Sequence, residues 1–322
     1  MNISQTSSLL LLALLLVFSA CTSNPYASTN RVYKKKVKAL TKEIKATPVI
    51  IAGEDSLLQG DYWVGSTNFN LRKPNYVVIH HTAQNSTEQT LKTFTTPKTQ
   101  VSAHYVIGRD GKVYHMLSDY LRAWHGGNAK WGNTTDLNST SIGIELDNNG
   151  FEPFQEAQIE SLIQLLALLK KNYGIPAANF IGHSDIAPSR KVDPNPTFPW
   201  KQLAEAGFGL WYDEGKVDQL VLEKNLLKPA TAQDSSAVSS DSVSVAPPML
   251  TLEVLAQDPI PAENIIPASF NPKDALRIIG YDVKNLEAAI KAFKLHYIQK
   301  EVNATLTDRD LKILYLLYRQ AL

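Results

Sequence analysis

Cysteine is almost absent: the 322 residues contain one, Cys21. A lone thiol excludes an intrachain disulfide, so the fold has to stand on packing and hydrogen bonds. No His-Glu-x-x-His run occurs, which removes the signature of a helix-borne zinc peptidase. Nothing is long and apolar enough to span a bilayer, which takes roughly 20 residues; the stretch Leu9 to Phe18 reaches about half of that. Charge of one sign is not in excess either. Lys and Arg number 32 against 31 Asp and Glu, a net +1, and nothing in that balance points to a nucleic-acid partner. What remains is a chain with 44% hydrophobic residues, long enough for one full-sized domain and a smaller one.

The position of the single cysteine is informative. The apolar stretch Leu9 to Phe18 runs into Ser19-Ala20-Cys21, a short h-region followed by small residues, as in a secretory signal. Phe18-Ser19-Ala20-Cys21 resembles a bacterial lipobox, whose Cys becomes the lipidated first residue of the mature chain. The alternative is an ordinary signal peptide with an incidental Cys. Residues 1–20 are therefore expected to be a signal peptide and 21–55 a basic tether. From Arg31 to Lys45 that tether carries seven basic side chains and one acidic one, suited to an anionic membrane or polymer or simply to solvation.

Further on, strands and helices mix. Tyr76 to Ile79 is a continuous apolar run, expected as a strand buried on both faces. Tyr105 to Ile107 and Lys112 to Met116 flank Arg109-Asp110-Gly111, which predicts a hairpin. In the strand Ser141 to Leu146, Ile142, Ile144 and Leu146 share one face, and Ser141, Gly143 and Glu145 the other. Glu145 thus stands among small residues, where a ligand can approach, although a solvent-facing strand Glu fits the alternation equally well. Glu156 to Tyr173 repeats apolar residues at helical spacing and ends in Gly174 and Pro176. The order predicts an α/β fold, a mixed central sheet flanked by helices. Residues 213–268 read as a linker, with Ala232 to Val245 nearly devoid of large side chains. Residues 269–322 predict a small three-helix domain, with Asn271 and Thr307 as caps and Gly280 as a stop.

His80, His183 and Asp193 form the chemically distinctive group. Two imidazoles and a carboxylate leave one position of a tetrahedral metal for water, the arrangement of a catalytic site. In an extended chain Lys191 and Asp193 point the same way, so both can face one centre. Residue types alone leave two bland alternatives open: hydrogen-bonded structural histidines, and an exposed Lys–Asp pair worth less than about 1 kcal/mol.

Four segments occur in one order: Val78-Ile79-His80-His81-Thr82-Ala83, Ala123-Trp124-His125-Gly126-Gly127, Ser141-Ile142-Gly143-Ile144-Glu145-Leu146, and His183 through Asp193. Together they resemble the zinc-dependent N-acetylmuramoyl-L-alanine amidases of the type 2 family, in particular its outer-membrane lipoprotein branch. The resemblance spans about residues 56–212. It implies one Zn²⁺ held by His80, His183 and Asp193, Glu145 as acid/base and Lys191 as transition-state stabiliser, with His104, Trp124 and His125 lining the substrate groove; core packing is the alternative for Trp124, and a hydrogen-bonded structural role the alternative for His104. His81 departs from the pattern, standing where close relatives carry Tyr. Residues 269–322 are similar to the small peptidoglycan-binding modules of cell-wall hydrolases.

The function so implied is hydrolysis of the amide between N-acetylmuramic acid and L-Ala, with peptidoglycan and muropeptides as partners. No nucleic-acid or obligate protein partner is expected. A lipid anchor at Cys21 would hold the protein on the outer membrane of a Gram-negative cell, facing the periplasm. The rival from another class is a non-catalytic peptidoglycan-binding protein that keeps the amidase fold.

Overall fold

The computed structural model describes residues 24–45, 74–223 and 260–322. The signal segment, Cys21, residues 46–73 and the central part of the expected linker lie outside the described residues. The chain divides into two compact units, Met1–Phe69 and Asn70–Leu322.

In the first unit, part of the expected tether is a helix, α1 (Ala27–Ile44), none of whose residues is buried. Its Ala, Lys and Leu are strong helix formers, and that local preference suffices where a reading by charge sees only solvated chain. None of the described helices is long and apolar enough to cross a membrane.

The second unit is built on a five-stranded sheet of β1 (Tyr76–His81), β2 (Tyr105–Ile107), β3 (Val113–His115), β4 (Ser141–Leu146) and β5 (Phe180–Gly182), in the order β3-β2-β4-β1-β5. β1 lies parallel to both β4 and β5, β2 is parallel to β4, and only the edge hairpin β2–β3 is antiparallel. A central strand with parallel neighbours is covered on both faces, which explains why Val77, Val78 and Ile79 are all buried.

Each face has its own core. Val77, Ile79, Ile142, Ile144 and Leu146 meet α4 (Glu156–Tyr173), which contributes Ile159, Leu162, Leu165, Leu166 and Leu169. Burying each such side chain stabilises the fold by roughly 1.5–3 kcal/mol. Gly174 ends the helix at φ 65°, a left-handed conformation open to a residue without Cβ. Gln158 adds the polar link, donating from its buried amide to Ile107 O and Asp147 O at the ends of two strands.

The other face carries Val78 and Ile181. Their cluster runs on through Leu137 and Ile186 into the C-terminal helices α8 (Pro272–Ile279), α9 (Leu286–Phe293) and α10 (Asp308–Ala321). Asn271 caps α8 by accepting from Lys273 N and Asp274 N, and Thr307 and Asp310 form the capping box of α10. These helices share a core with residues of the sheet. Both ends of the expected linker are ordered as well. Residues 214–219 form α7 (Glu214–Gln219), and β6 (Val221–Leu222) pairs in parallel with β7 (Ile265–Ile266). Strands of two residues carry no readable alternation, so composition gave no sign of them.

Candidate metal centre and active site

The register explains how distant residues meet. His80 near the end of β1 pairs with Glu145 near the end of β4, and Ile79 pairs with Gly182, the last residue of β5. His183 follows at once, opening the single-turn helix α5 (His183–Ile186). Three adjacent parallel strands thus deliver three functional side chains at their carboxyl ends, where open α/β sheets gather ligands. The fourth, Asp193, returns on a loop whose carbonyl accepts from Ser184 N at 2.8 Å, so the two ligand-bearing segments are tied together.

His80 Nδ1, His183 Nδ1 and Asp193 Oδ2 form a nearly equilateral triangle, with edges of 2.8, 3.1 and 3.0 Å. All three residues are buried, and this donor set can hold a metal ion. The far sides of the two rings bear on whether it fits one. His183 Nε2 donates to Gly126 O at 3.2 Å, which leaves Nδ1 as the nitrogen whose lone pair can face the triangle.

For His80 the tautomer follows from a chain of bonds. Ser141 Oγ donates its proton to Leu137 O and therefore accepts from His125 Nε2 at 3.1 Å. His125 Nδ1 is then an acceptor, 3.0 Å from His80 Nε2, which must donate. The His80 lone pair is left on Nδ1, aimed at the same point. Fixing imidazoles by their second nitrogen in this way is characteristic of metal ligands, and edges near 3 Å suit an ion about 2.0–2.1 Å from each donor. The residues fit a metal.

The electrostatics agree. Burial, reinforced by His183 beside it, lowers His80 to about 4, keeping the ring neutral. His125 is lowered as well, by burial and by His80 beside it. For Asp193 burial works toward a raised pKa, but the contacts of Oδ2 with the His183 and His80 rings outweigh it and hold the pKa below the usual carboxylate range. Glu145 Oε1 is 4.0 Å from His80 Nδ1. Burial and the charge of Asp193 push this carboxyl up to about 8, while Lys191 opposes the rise. A carboxyl that holds its proton near neutrality, beside a cation and a lone-pair triangle, can exchange that proton with a ligand.

The substrate-contact expectations divide. Trp124 is 47% exposed, so it is not core packing. His104, expected in the groove, is instead fully buried: it accepts from Gly143 N and donates to Leu121 O, leaving neither ring nitrogen for a ligand. His125, also expected in the groove, has both nitrogens engaged and stands behind His80. His81 points away from the triangle, its Nδ1 accepting from Asn195 N at 3.1 Å.

Sequence reasoning missed the residues that hold these in place. Asn138 Oδ1 accepts from both His125 N and Gly126 N, and Arg190 donates to Gly126 O at 2.7 Å. Gly143 admits the His125 ring, because a Cβ there would lie 2.6 Å from its Cδ2. The pairing of a Ser and a Gly with Glu on one strand face was the available signal.

The N-acetylmuramoyl-L-alanine amidase family model matches residues 70–196. The chain is 41% identical over 158 residues to the N-acetylmuramoyl-L-alanine amidase AmiD of Escherichia coli, a match covering 44% of this chain and 56% of AmiD. It is also 41% identical over 103 residues to the 1,6-anhydro-N-acetylmuramyl-L-alanine amidase AmpD of Enterobacter cloacae, covering 32% and 55%. The matched region thus spans little more than half of these curated relatives. In structure, E. coli AmiD in complex with anhydro-N-acetylmuramic acid-L-Ala-D-γ-Glu-L-Lys superposes with a TM-score of 0.58 at 27% identity, over 84% of this chain and 97% of that one. AmpDh3 of Pseudomonas aeruginosa gives 0.59 at 27%, over 82% and 99%. Residues 70–196 thus match the amidase family model, and the mixed sheet with flanking helices matches the fold of AmiD and AmpDh3.

Proposed function

We propose that this protein hydrolyses the amide bond between N-acetylmuramic acid and L-Ala of peptidoglycan or muropeptides, with one Zn²⁺ held by His80, His183 and Asp193. The observation that carries the proposal is the convergence of three lone pairs on one point, with the buried carboxyl of Glu145 at its edge. Zinc bound there supplies Lewis acidity and makes water a nucleophile near neutral pH.

The chain does the rest. Glu145 takes the proton of the attacking water and passes it to the departing L-Ala nitrogen, a double duty that suits a pKa near the working pH. Lys191 opposes the negative charge that grows on the carbonyl oxygen. Trp124 offers an aromatic surface at the rim, and His125 keeps His80 in the ligating tautomer. The E. coli AmiD complex contains an anhydro-muramyl tripeptide, and this chain is proposed to act on the same class of substrate.

Residues 269–322 add affinity for the wall, and a lipid on Cys21 holds the protein at the outer membrane facing the periplasm. Mature protein beginning anywhere but at an acylated Cys21, read by mass spectrometry, would refute that anchor.

The test is incubation of the purified protein with a defined anhydro-muramyl peptide, with mass analysis of the products. Free stem peptide is expected, lost on chelation and restored by zinc. His80→Ala, His183→Ala and Asp193→Ala lose zinc and turnover together. Glu145→Gln keeps zinc while turnover falls by about 10²–10⁴, and Lys191→Ala keeps zinc with a fall of about 10²–10³. A zinc-loaded wild type that binds sacculi without releasing peptide would make it a binding protein instead.

A further inference from the structure

The helical region behind the sheet reaches the metal centre through one carboxylate. Asp185 lies on α5, two residues after His183, and is completely buried. Its Oδ2 accepts from Gly182 N at 2.7 Å, closing the turn locally. Both of its other partners come from the C-terminal region: Tyr281 donates to Oδ1 at 2.8 Å, and His296 Nδ1 lies 2.7 Å from Oδ2.

His296 is held for that contact alone. Its ring is stacked between Trp200 at 3.8 Å and Tyr297 at 4.1 Å, and its buried Nε2 has no partner among the described residues. Tyr281 is likewise fixed, edge-on against Trp131 at 5.0 Å.

A four-residue helix has almost no stability of its own. One bond from Ala187 N to His183 O spans it, and bonds from Ser184 N to Asp193 O and from Lys130 N to Ile186 O tie it to neighbouring segments at single points. Its orientation, and with it the aim of His183 Nδ1, depends on what grips its side chains. A buried carboxylate with two of three donors removed is strongly unfavourable, so without residues 281 and 296 the turn must move to rehydrate Asp185.

We infer that Tyr281 and His296 are positioning residues for the metal site, acting through Asp185 on His183, so that the C-terminal helices complete the centre besides any role in wall binding. This rests on the metal reading proposed above.

The experiment is zinc affinity of the full-length protein, by competition with a chromophoric chelator, alongside thermal melts of the metal-free form. Tyr281→Phe removes one hydroxyl and leaves the packing, and should weaken zinc binding about tenfold. His296→Ala should weaken it by about 10- to 100-fold, the range for groups that orient metal ligands. His296→Asn, which returns an N–H near the position of Nδ1, should recover part of that loss. Leu314→Ala, in the same core but outside the hydrogen bonds of Asp185, should lower the melting temperature and leave the affinity of the folded protein unchanged.

The inference falls if Tyr281→Phe and His296→Ala bind zinc like wild type, or if Leu314→Ala weakens binding as much as they do. Failure of the wild type to bind zinc would remove the metal reading and this inference together.

Discussion

The two faces of β4 differ in what they use their residues for. Toward α4 the strand presents Ile142, Ile144 and Leu146, all completely buried, and the face is interchangeable hydrocarbon. Toward the metal centre it presents Ser141, Gly143 and Glu145, also buried. There Ser141 fixes a tautomer, Gly143 makes room for a ring and Glu145 keeps a proton. One face tolerates volume-conserving change. The other does not, because each small side chain is matched to a neighbour's hydrogen bond or van der Waals envelope.

The largest break in that comparison should come from Gly143→Ala. Its methyl would overlap the His125 ring, and the displaced ring would release His80 from its tautomer. Zinc content and turnover should both collapse, by about 10² or more, while circular dichroism stays native. Retention of zinc by this variant would show that the ring has room to give.

Acidity separates the faces next, because only the polar one titrates. His80, lowered to about 4 by burial, binds a proton in the unfolded chain but not in the folded one between that value and 6.5. Stability therefore falls as pH drops through this interval, by up to about 3 kcal/mol for His80 alone. His81, His104 and His125 are lowered too, and add in the same direction. Glu145, raised to about 8 by burial, acts oppositely: its contribution is full below the unfolded value near 4.5 and is lost as pH rises to about 8. The histidines outnumber it below pH 6.5, and above that Glu145 remains. Urea denaturation of the metal-free protein should show greatest stability near pH 6.5, and Glu145→Gln should flatten the decline on the alkaline side. A profile that rises steadily to pH 8 would contradict the burial of Glu145 in its protonated form.

Ser141→Ala probes the tautomer chain without a steric change. His125 loses its acceptor, and zinc affinity should fall about 10- to 100-fold, measured by chelator competition. Unchanged affinity would mean that His80 is held by other contacts. The smallest effect belongs to the apolar face: Ile144→Val should cost about 0.5–1.5 kcal/mol in urea and leave zinc affinity untouched. A loss of zinc there would dissolve the distinction between the faces.

Much of this was legible in the chain. The 18-residue helix Glu156–Tyr173 ends at Gly174 as its pattern requires, and the hairpin turns at Arg109-Asp110-Gly111. Periodicity and turn chemistry are local, so they survive folding unchanged. The candidate ligands were recognisable because their motifs are contiguous, and the fold brings His80, His183 and Asp193 to one point. For His104 two readings stood open, since nothing in its neighbours reveals that Gly143 N and Leu121 O, 39 and 17 residues away, consume its ring.

The sequence by itself determined four of the five strands of the main sheet, the helix Glu156–Tyr173, the caps of the C-terminal helices and the identities of the groups able to do chemistry, because each follows from propensity, period or residue type within one segment. Only the tertiary structure decided which lone pairs face one another. The Nδ1 atoms of His80 and His183 converge through hydrogen bonds made on the other side of each ring, by Ser141 through His125 and by Gly126. It also decided that residues near 281 and 296 grip the turn of His183 through Asp185. Hydrogen-bond partners are set by position in space, and a carboxylate buried about 100 residues from its donors leaves no local pattern to read.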